Sequence, residues 1–180
     1  MATRRSAMFL TVAVVCALAV IGGLYLVLSP RERVLTFGFG TYERMTGDPQ
    51  QARRVEVGAA PDGTSVFVWH YDDGSKQTSL TGCRGHTCSA PSVTQYQGSP
   101  ADGSLAASVC RRVIAEPGYA LKTCSGHATE TYGRKNVDYT SHHRFTTVGK
   151  DTFYDNAYVF SDGSASTAVF KRVGPPPANM

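Results

Sequence analysis

The sequence predicts an α+β fold, in which a mainly antiparallel sheet carries one helix on a face and follows an N-terminal transmembrane helix. Three observations predict this class. Aspartate–glycine pairs recur along the chain, runs rich in Val, Phe, Tyr and Trp lie between them, and a single segment has apolar residues at helical spacing. Hairpins joined by tight turns give antiparallel sheets, and a lone amphipathic helix must bury its apolar stripe against such a sheet.

The apolar leader is the clearest feature of the chain. No charged residue occurs from Met8 to Leu28, while Arg4 and Arg5 precede this run. As a helix it would be about 31 Å long, which matches the apolar core of a bilayer. Ser29-Pro30 ends the helix, because proline disfavours helical geometry in the residue before it. Residues 1–30 are therefore predicted to be an uncleaved signal-anchor that contacts the membrane through residues 8–28.

Cleavage of the leader is the alternative. Ala17-Leu18-Ala19 has the small-residue spacing of a signal-peptide cleavage site, and its use would give a secreted protein. The remaining run from Val20 to Leu28 would make a strongly apolar mature end, which favours the anchor. In both cases the bulk of the chain is expected outside the cytosol, in an extracellular, periplasmic or virion-surface location.

The cysteines support that location. Cys83, Cys88, Cys110 and Cys124 all fall in residues 31–173, which we interpret as one exported domain before a proline-rich tail, 174–180. An even number of cysteines downstream of an export signal predicts two disulfides. Four cysteines allow three pairings. Cys83–Cys88 with Cys110–Cys124 is preferred, because each bond then closes a local loop.

The turns and strands of this domain follow from local chemistry. The turns are expected where an aspartate precedes a glycine, because that glycine can adopt positive φ. They are Pro61-Asp62-Gly63, Asp72-Asp73-Gly74 and Ser161-Asp162-Gly163. Strands are expected in the β-rich runs around them: 34–39, 54–57, 65–71, 76–80, 119–124, 128–132, 137–148, 152–160 and 164–173.

One helix is predicted between the strands. Asp102-Gly103-Ser104 offers an N-cap, and Leu105, Val109 and Val113 follow at four-residue spacing. Glu116-Pro117-Gly118 would end this helix. A Cys110–Cys124 bond would then tie the helix to the sheet.

Charge argues against a nucleic-acid partner. The chain has 18 Lys and Arg against 14 Asp and Glu, and two of the arginines belong to the leader. The remaining basic pairs are scattered, with no aromatic RNA-binding motif beside them, so a solvated surface is the better interpretation.

No cofactor or metal is predicted. Cys83 and Cys88 with His86 between them resemble half of a zinc site, but an oxidising compartment favours a disulfide at this spacing. A hydrolase that uses some of the exported-domain histidines remains the alternative function. Those histidines are His86, His127, His142 and His143. His142 and His143 are adjacent, so on a strand they point to opposite faces and cannot act as one pair.

Aromatic residues give the leading hypothesis. Tyrosine and tryptophan combine a large contact area with a polar end, and they recur along the expected strands. Those selected as candidate contacts are Trp69, Tyr71, Tyr154 and Tyr158. Together with the anchor, the cysteines and the lack of a catalytic motif, they predict a membrane-anchored binding or assembly module that contacts a protein partner.

Overall fold

In the computed structural model of the protein, most of the described residues form β-strands. The described residues are 38–84, 87–88, 92–97, 107–116, 118–178 and 180. Their strands, in chain order, are β1 Gly40–Gly47, β2 Arg54–Ala59, β3 Thr64–His70, β4 Lys76–Arg84, β5 Thr87–Cys88, β6 Ser92–Gln97, β7 Ala107–Glu116, β8 Tyr119–Thr131, β9 Arg134–Val148, β10 Asp151–Phe160 and β11 Ala165–Gly174.

The predicted helix, and with it the α+β class, is wrong. Residues 107–116 of that segment form β7, which pairs antiparallel with β6 and β8, and no α-helix occurs among the described residues. Val109 and Val113 do recur at helical spacing. Both are β-branched, however, and β8 pairs with most of β7 while β6 pairs with residues 107–110, so tertiary pairing overrides the helical period. The proposed N-cap at 102–104 lies outside the described residues.

The sheet curls until its two ends meet. Its strand order is β3-β2-β1-β11-β10-β9-β8-β7-β6-β4-β5, every pairing is antiparallel, and β3 also pairs with β4. This last pairing joins the ends, so ten of the described strands form a closed ring, from which β5 extends as a short hairpin arm of β4. Closure pairs the edges that an open sheet would leave free and creates an enclosed interior.

The Asp-Gly turns are confirmed, and they share one mechanism. Gly74 and Gly163 have φ values of 84° and 82°. In each of these turns the aspartate carboxylate accepts a hydrogen bond from the backbone N–H two residues later, at 2.8 Å from Asp73 to Ser75 and from Asp162 to Ser164. Hydrogen bonds from Ser75 and Ser164 lower the pKa of these two carboxyl groups. Local sequence alone thus fixes the hairpins at β3–β4 and β10–β11.

The Cys110–Cys124 disulfide is present, but it does not join a helix to the sheet. The two residues face each other directly across β7 and β8. Cys83 and Cys88 are likewise opposite each other in the short β4–β5 pair. That backbone arrangement supports the second predicted disulfide, which stays a prediction.

Loss of the Cys110–Cys124 bond is expected to be costly. The bond closes a loop with a sequence separation of 14. By the chain-entropy argument a loop of this size contributes about 3 kcal/mol, so the double variant Cys110→Ala/Cys124→Ala should lose about that much free energy of unfolding. Chemical denaturation followed by far-UV circular dichroism measures the loss. Equal midpoints for this variant and the unreduced wild type would contradict the prediction.

The C-terminal tail belongs to the described part of the chain, whereas the N-terminal leader does not. The predicted anchor at 8–28 lies outside the described residues. Within the described part of the chain, no helix has the length and apolar character that a bilayer span requires. The proline-rich tail packs on the sheet, because Thr41 Oγ1 donates to the carbonyl of Pro175 at 2.9 Å and Met180 lies against Gly58 of β2.

Candidate functional site

The interior of the closed sheet is layered. One apolar cluster holds Tyr42, Phe67, Trp69, Phe145, Tyr154 and Phe170 with smaller residues. A second cluster holds Ala128, Val137, Tyr139, Tyr158 and Phe160. Between them the inward-facing positions are polar. We call these residues the internal polar layer: Gln51, Lys122, Ser141, His143, Asn156 and Ser166, all buried.

The order of residues along each strand produces this layering. Along β9 the inward positions change from Val137 and Tyr139 to Ser141 and His143, and then to Phe145. Along β10 the inward Asn156 likewise lies between Tyr154 and Tyr158. Lys122 on β8 pairs with His143, and His143 pairs with Asn156, so three polar residues form one row across three strands.

Lys122 is the most unusual residue of the layer. The residue is 5% exposed, and its amine nitrogen lies 5.8 Å from the centre of the Phe67 ring. Burial lowers the pKa of Lys122 to about 7, because the charged form loses its hydration inside the sheet. At neutral pH this amine therefore exists in both the charged and the neutral form.

His143 is held by hydrogen bonds on both ring nitrogens. Nδ1 lies 2.7 Å from the Tyr154 hydroxyl, and Nε2 lies 3.1 Å from Ser141 Oγ. Burial, and then the charge of Lys122, hold the pKa of His143 well below its usual range. The imidazole is thus neutral at physiological pH, and its tautomer decides which hydroxyl donates to it.

A second chain of hydrogen bonds fixes the other side of the layer. Asn156 Nδ2 donates to Gln51 Oε1 at 2.8 Å, and Gln51 Nε2 donates to Ser166 Oγ at 3.0 Å. Ser166 in turn donates to Asp48 at 2.7 Å. Gln51 comes from the β1–β2 connection, which folds inward. The layer is therefore rigid and tied to three parts of the chain.

Several buried polar atoms have no hydrogen-bond partner among the described residues, and two of them, Asn156 Oδ1 and Trp69 Nε1, belong to this layer or to a ring beside it. They include Trp69 Nε1, Ser65 Oγ, Ser108 Oγ and Asn156 Oδ1. Leaving such a group unsatisfied typically costs about 1–3 kcal/mol, so each needs a physical reason. A bound molecule with acceptor and donor groups is one such reason.

No known protein family, curated protein or solved structure matches this chain.

The candidate contact residues lie mostly inside. Trp69 is 3% exposed, Tyr154 is completely buried, and Tyr158 belongs to the second apolar cluster. Tyr71 is half-buried at the end of β3, and its hydroxyl donates to Gln77 Oε1 at 2.8 Å. Sequence reasoning placed these rings on a sheet face, and three of the four belong to the inner face.

The candidate histidines are dispersed. His86 lies outside the described residues. His127 is exposed on the outer face, where Nδ1 lies 2.8 Å from an Asp138 oxygen. His142 points outward from β9 toward Thr123, at 3.2 Å, whereas His143 points inward. The structure does not bring the three described histidines together in one site, and the described residues contain no group of three or more His, Cys, Asp or Glu that could hold a metal.

An outer groove of about 520 Å³ lies across β7–β10. Its floor is a row of short side chains from adjacent strands, Val109, Ser125, Thr140 and Val159, and the two valines are exposed. The groove is shallow and open. It is a weaker candidate than the interior.

Sequence reasoning missed Lys122, Ser141 and Asn156. The available signal was their spacing: each is a polar residue at a position whose neighbours two residues away are buried, as in Ala120-x-Lys122-x-Cys124. That pattern singles out polar side chains forced to the inner face of a strand.

Proposed function

We propose that this protein is an extracytoplasmic binding module that holds a small, largely apolar molecule inside its closed sheet. The observation that carries the proposal is the internal polar layer, which lies between two aromatic clusters and in which Asn156 Oδ1, and beside it Trp69 Nε1, have no hydrogen-bond partner among the described residues. Ligand sites have this composition: apolar and aromatic walls with a few fixed polar groups. Closed sheets of about this size are known to enclose single small ligands.

Stability alone gives a poor account of the layer. A buried amine and a buried imidazole both lose their hydration, which costs free energy on folding. Apolar residues of the same volume would not carry that cost. Each aromatic cluster shows that this sequence can fill its interior with apolar rings. Polar residues at the centre therefore support a role in recognition.

The location of the module remains a proposal from the sequence. Tethering through residues 8–28 would hold the domain outside the cytosol, where the Cys110–Cys124 disulfide persists. A protein partner also remains a prediction, and it is not needed for the internal site to bind its ligand.

Binding is testable through the single tryptophan. Trp69 is the sole tryptophan of the chain and contacts the layer, with its ring 6.2 Å from that of His143. The detergent-solubilised full chain is titrated with N-phenyl-1-naphthylamine, a neutral aromatic fluorophore that accepts energy from tryptophan. We expect saturable quenching of Trp69 emission, with one probe bound per protein.

Two neighbouring residues of β9 provide the matched variants. Ser141→Leu should fill the interior and weaken probe binding at least tenfold, whereas Thr140→Leu changes the outer groove and should leave binding unchanged. Circular dichroism verifies that both variants fold. Probe fluorescence that rises without quenching of Trp69 emission would place the probe outside the sheet and contradict the proposal. An equal loss of probe binding in the two variants would do the same.

The hydrolase alternative rests on one contact. Ser141 Oγ and His143 Nε2 are within hydrogen-bond distance, as a nucleophile and its base would be. The third partner is the Tyr154 hydroxyl, however, which cannot balance an imidazolium charge as a carboxylate does. The lowered pKa of His143 also makes it a weak base. Hydrolysis of p-nitrophenyl esters that is lost in Ser141→Ala, while probe binding persists, would favour the enzyme.

A further inference from the structure

We propose that the outer groove across β7–β10 is the surface through which two copies of this chain form a weak symmetric dimer. The inference goes beyond the binding function proposed above, because it concerns the outer face of the sheet and needs no ligand inside it. The observations that carry it are a floor of short side chains and two exposed charges of opposite sign, one on each side of that floor.

The floor of the groove suits close contact with a second sheet. Its residues are strand partners in one row across four strands: Val109, Ser125, Thr140 and Val159. Val109 and Val159 are 38% and 47% exposed. Short side chains let two sheet faces approach to about 10 Å, and an interface buries an apolar centre within a polar rim.

The two charges lie on opposite sides of this floor. Arg111 lines the groove on the side of the β7–β8 turn, whereas Asp138 lines it on the side of the β8–β9 turn. Arg111 is exposed and is the extra residue of a β-bulge, where the register between β7 and β8 shifts. The Asp138 side chain is 76% exposed, although one of its oxygens lies 2.8 Å from His127 Nδ1. Both charges are therefore accessible to a partner.

The register places Ser125 midway between the two charges. Val109 pairs with Ser125, and Ser125 pairs with Thr140. Arg111 lies two residues beyond Val109, and Asp138 lies two residues before Thr140, which is the opposite direction across the sheet. A two-fold axis over Ser125, between two facing copies, brings Arg111 of each copy opposite Asp138 of the other. One contact thus forms two ion pairs.

This charge pattern favours a second copy over a partner of one charge sign. Among the described residues that line the groove, Arg111 and Asp138 are the charged ones. A strongly acidic or strongly basic partner would complement one of them and repel the other, whereas a second copy complements both.

The size of the contact predicts a weak dimer. Four strands about 4.8 Å apart and three rows of residues about 7 Å apart cover roughly 400 Å² of sheet face per copy. Two such faces are at the small end of protein interfaces, where complexes are transient, so we expect a micromolar dissociation constant.

Charge reversal tests the dimer. Sedimentation equilibrium of the full chain in density-matched detergent measures association over the micromolar range. Arg111→Asp and Asp138→Arg should each weaken association at least tenfold, because each puts like charges opposite one another at both contacts. An equimolar mixture of these two variants should associate as the wild type does, because both contacts then pair opposite charges.

Two further variants complete the test. Lys150→Asp makes the same charge change as Arg111→Asp at an exposed turn outside the groove, and it should associate as the wild type does. Ser125→Arg puts a long side chain at the axis and should weaken association at least tenfold, and circular dichroism verifies that each variant folds. A wild type that stays monomeric, single reversals that associate like the wild type, or a mixture no tighter than its components would each overturn the proposal.

Discussion

Replacement of Lys122 by Met is expected to stabilise the protein near neutral pH and to flatten the dependence of its stability on pH. The pKa of Lys122 falls from 10.5 to about 7 on folding, so between these values the unfolded chain binds more protons than the folded one. Stability then rises with pH, by about 1.4 kcal/mol per pH unit at most. From pH 7 to pH 9.5 the wild type should gain about 3 kcal/mol from this group alone, and Lys122→Met should gain almost none.

The pH window isolates Lys122 from two other buried groups. His143 has a lowered pKa, so it changes the stability of the protein only at acid pH, where the unfolded histidine takes up a proton and the folded one does not. Tyr42 has a pKa raised by burial, so it changes the stability of the protein only at alkaline pH, where the unfolded tyrosine ionises and the folded one does not. Urea denaturation followed by Trp69 fluorescence at pH 7, 8 and 9.5 gives the slopes. Lys150→Met, at an exposed turn, is the control, and parallel slopes for Lys122→Met and wild type would refute the assignment.

Truncation of Phe145 to Ala should cost about 3–5 kcal/mol of unfolding free energy, the usual range for a fully buried phenylalanine. Phe145 is 1% exposed, and its ring stacks on Tyr154 with centres 4.6 Å apart and meets Tyr42 edge-on at 5.7 Å. Neighbours in a closed sheet are held by ladders on both sides and cannot collapse into the space. The cavity therefore persists, and the cost lies toward the upper end of that range.

Phe153→Ala is the matched control. Phe153 lies on the adjacent strand β10 but on its outer face, half-buried, where Lys171 lies 6.0 Å above its ring. Loss of a partly exposed ring should cost about 1 kcal/mol or less, because little apolar area returns to water. Urea denaturation of the two variants gives both values. Similar losses in both would show that the interior is not the main source of stability.

Local chemistry made most strands of the domain predictable. The Asp-Gly turns locate their hairpins, because the aspartate hydrogen bond and the positive φ of glycine need no help from the rest of the fold. The runs at 65–71, 76–80 and 152–160 fall on β3, β4 and β10 for this reason. The pairing of Cys110 with Cys124 was also predictable, because it closes a short loop. That the bond joins two neighbouring strands, and not a helix to the sheet, was not predictable.

Other strands carried no local signal. β1 contains Glu43, Arg44 and two glycines, and only its ladders with β2 and β11 make it a strand. In β7 the spacing of the valines favours a helix, whereas their β-branched side chains favour a strand. Pairing with the neighbouring strands decides between the two. Secondary structure at such positions is a property of the whole sheet.

The sequence by itself determined the turns, most strands, the cysteine pairing at 110 and 124, and the prediction of an exported domain. Only the tertiary structure decided which way the aromatic rings point and where Lys122 and His143 meet. The physical reason is closure. Alternation along a strand sorts side chains into two sets, but it cannot tell which set becomes the interior until β3 pairs with β4. With that pairing in place, Trp69 and Tyr154 lie inside the sheet, and the amine of Lys122 is buried over the ring of Phe67.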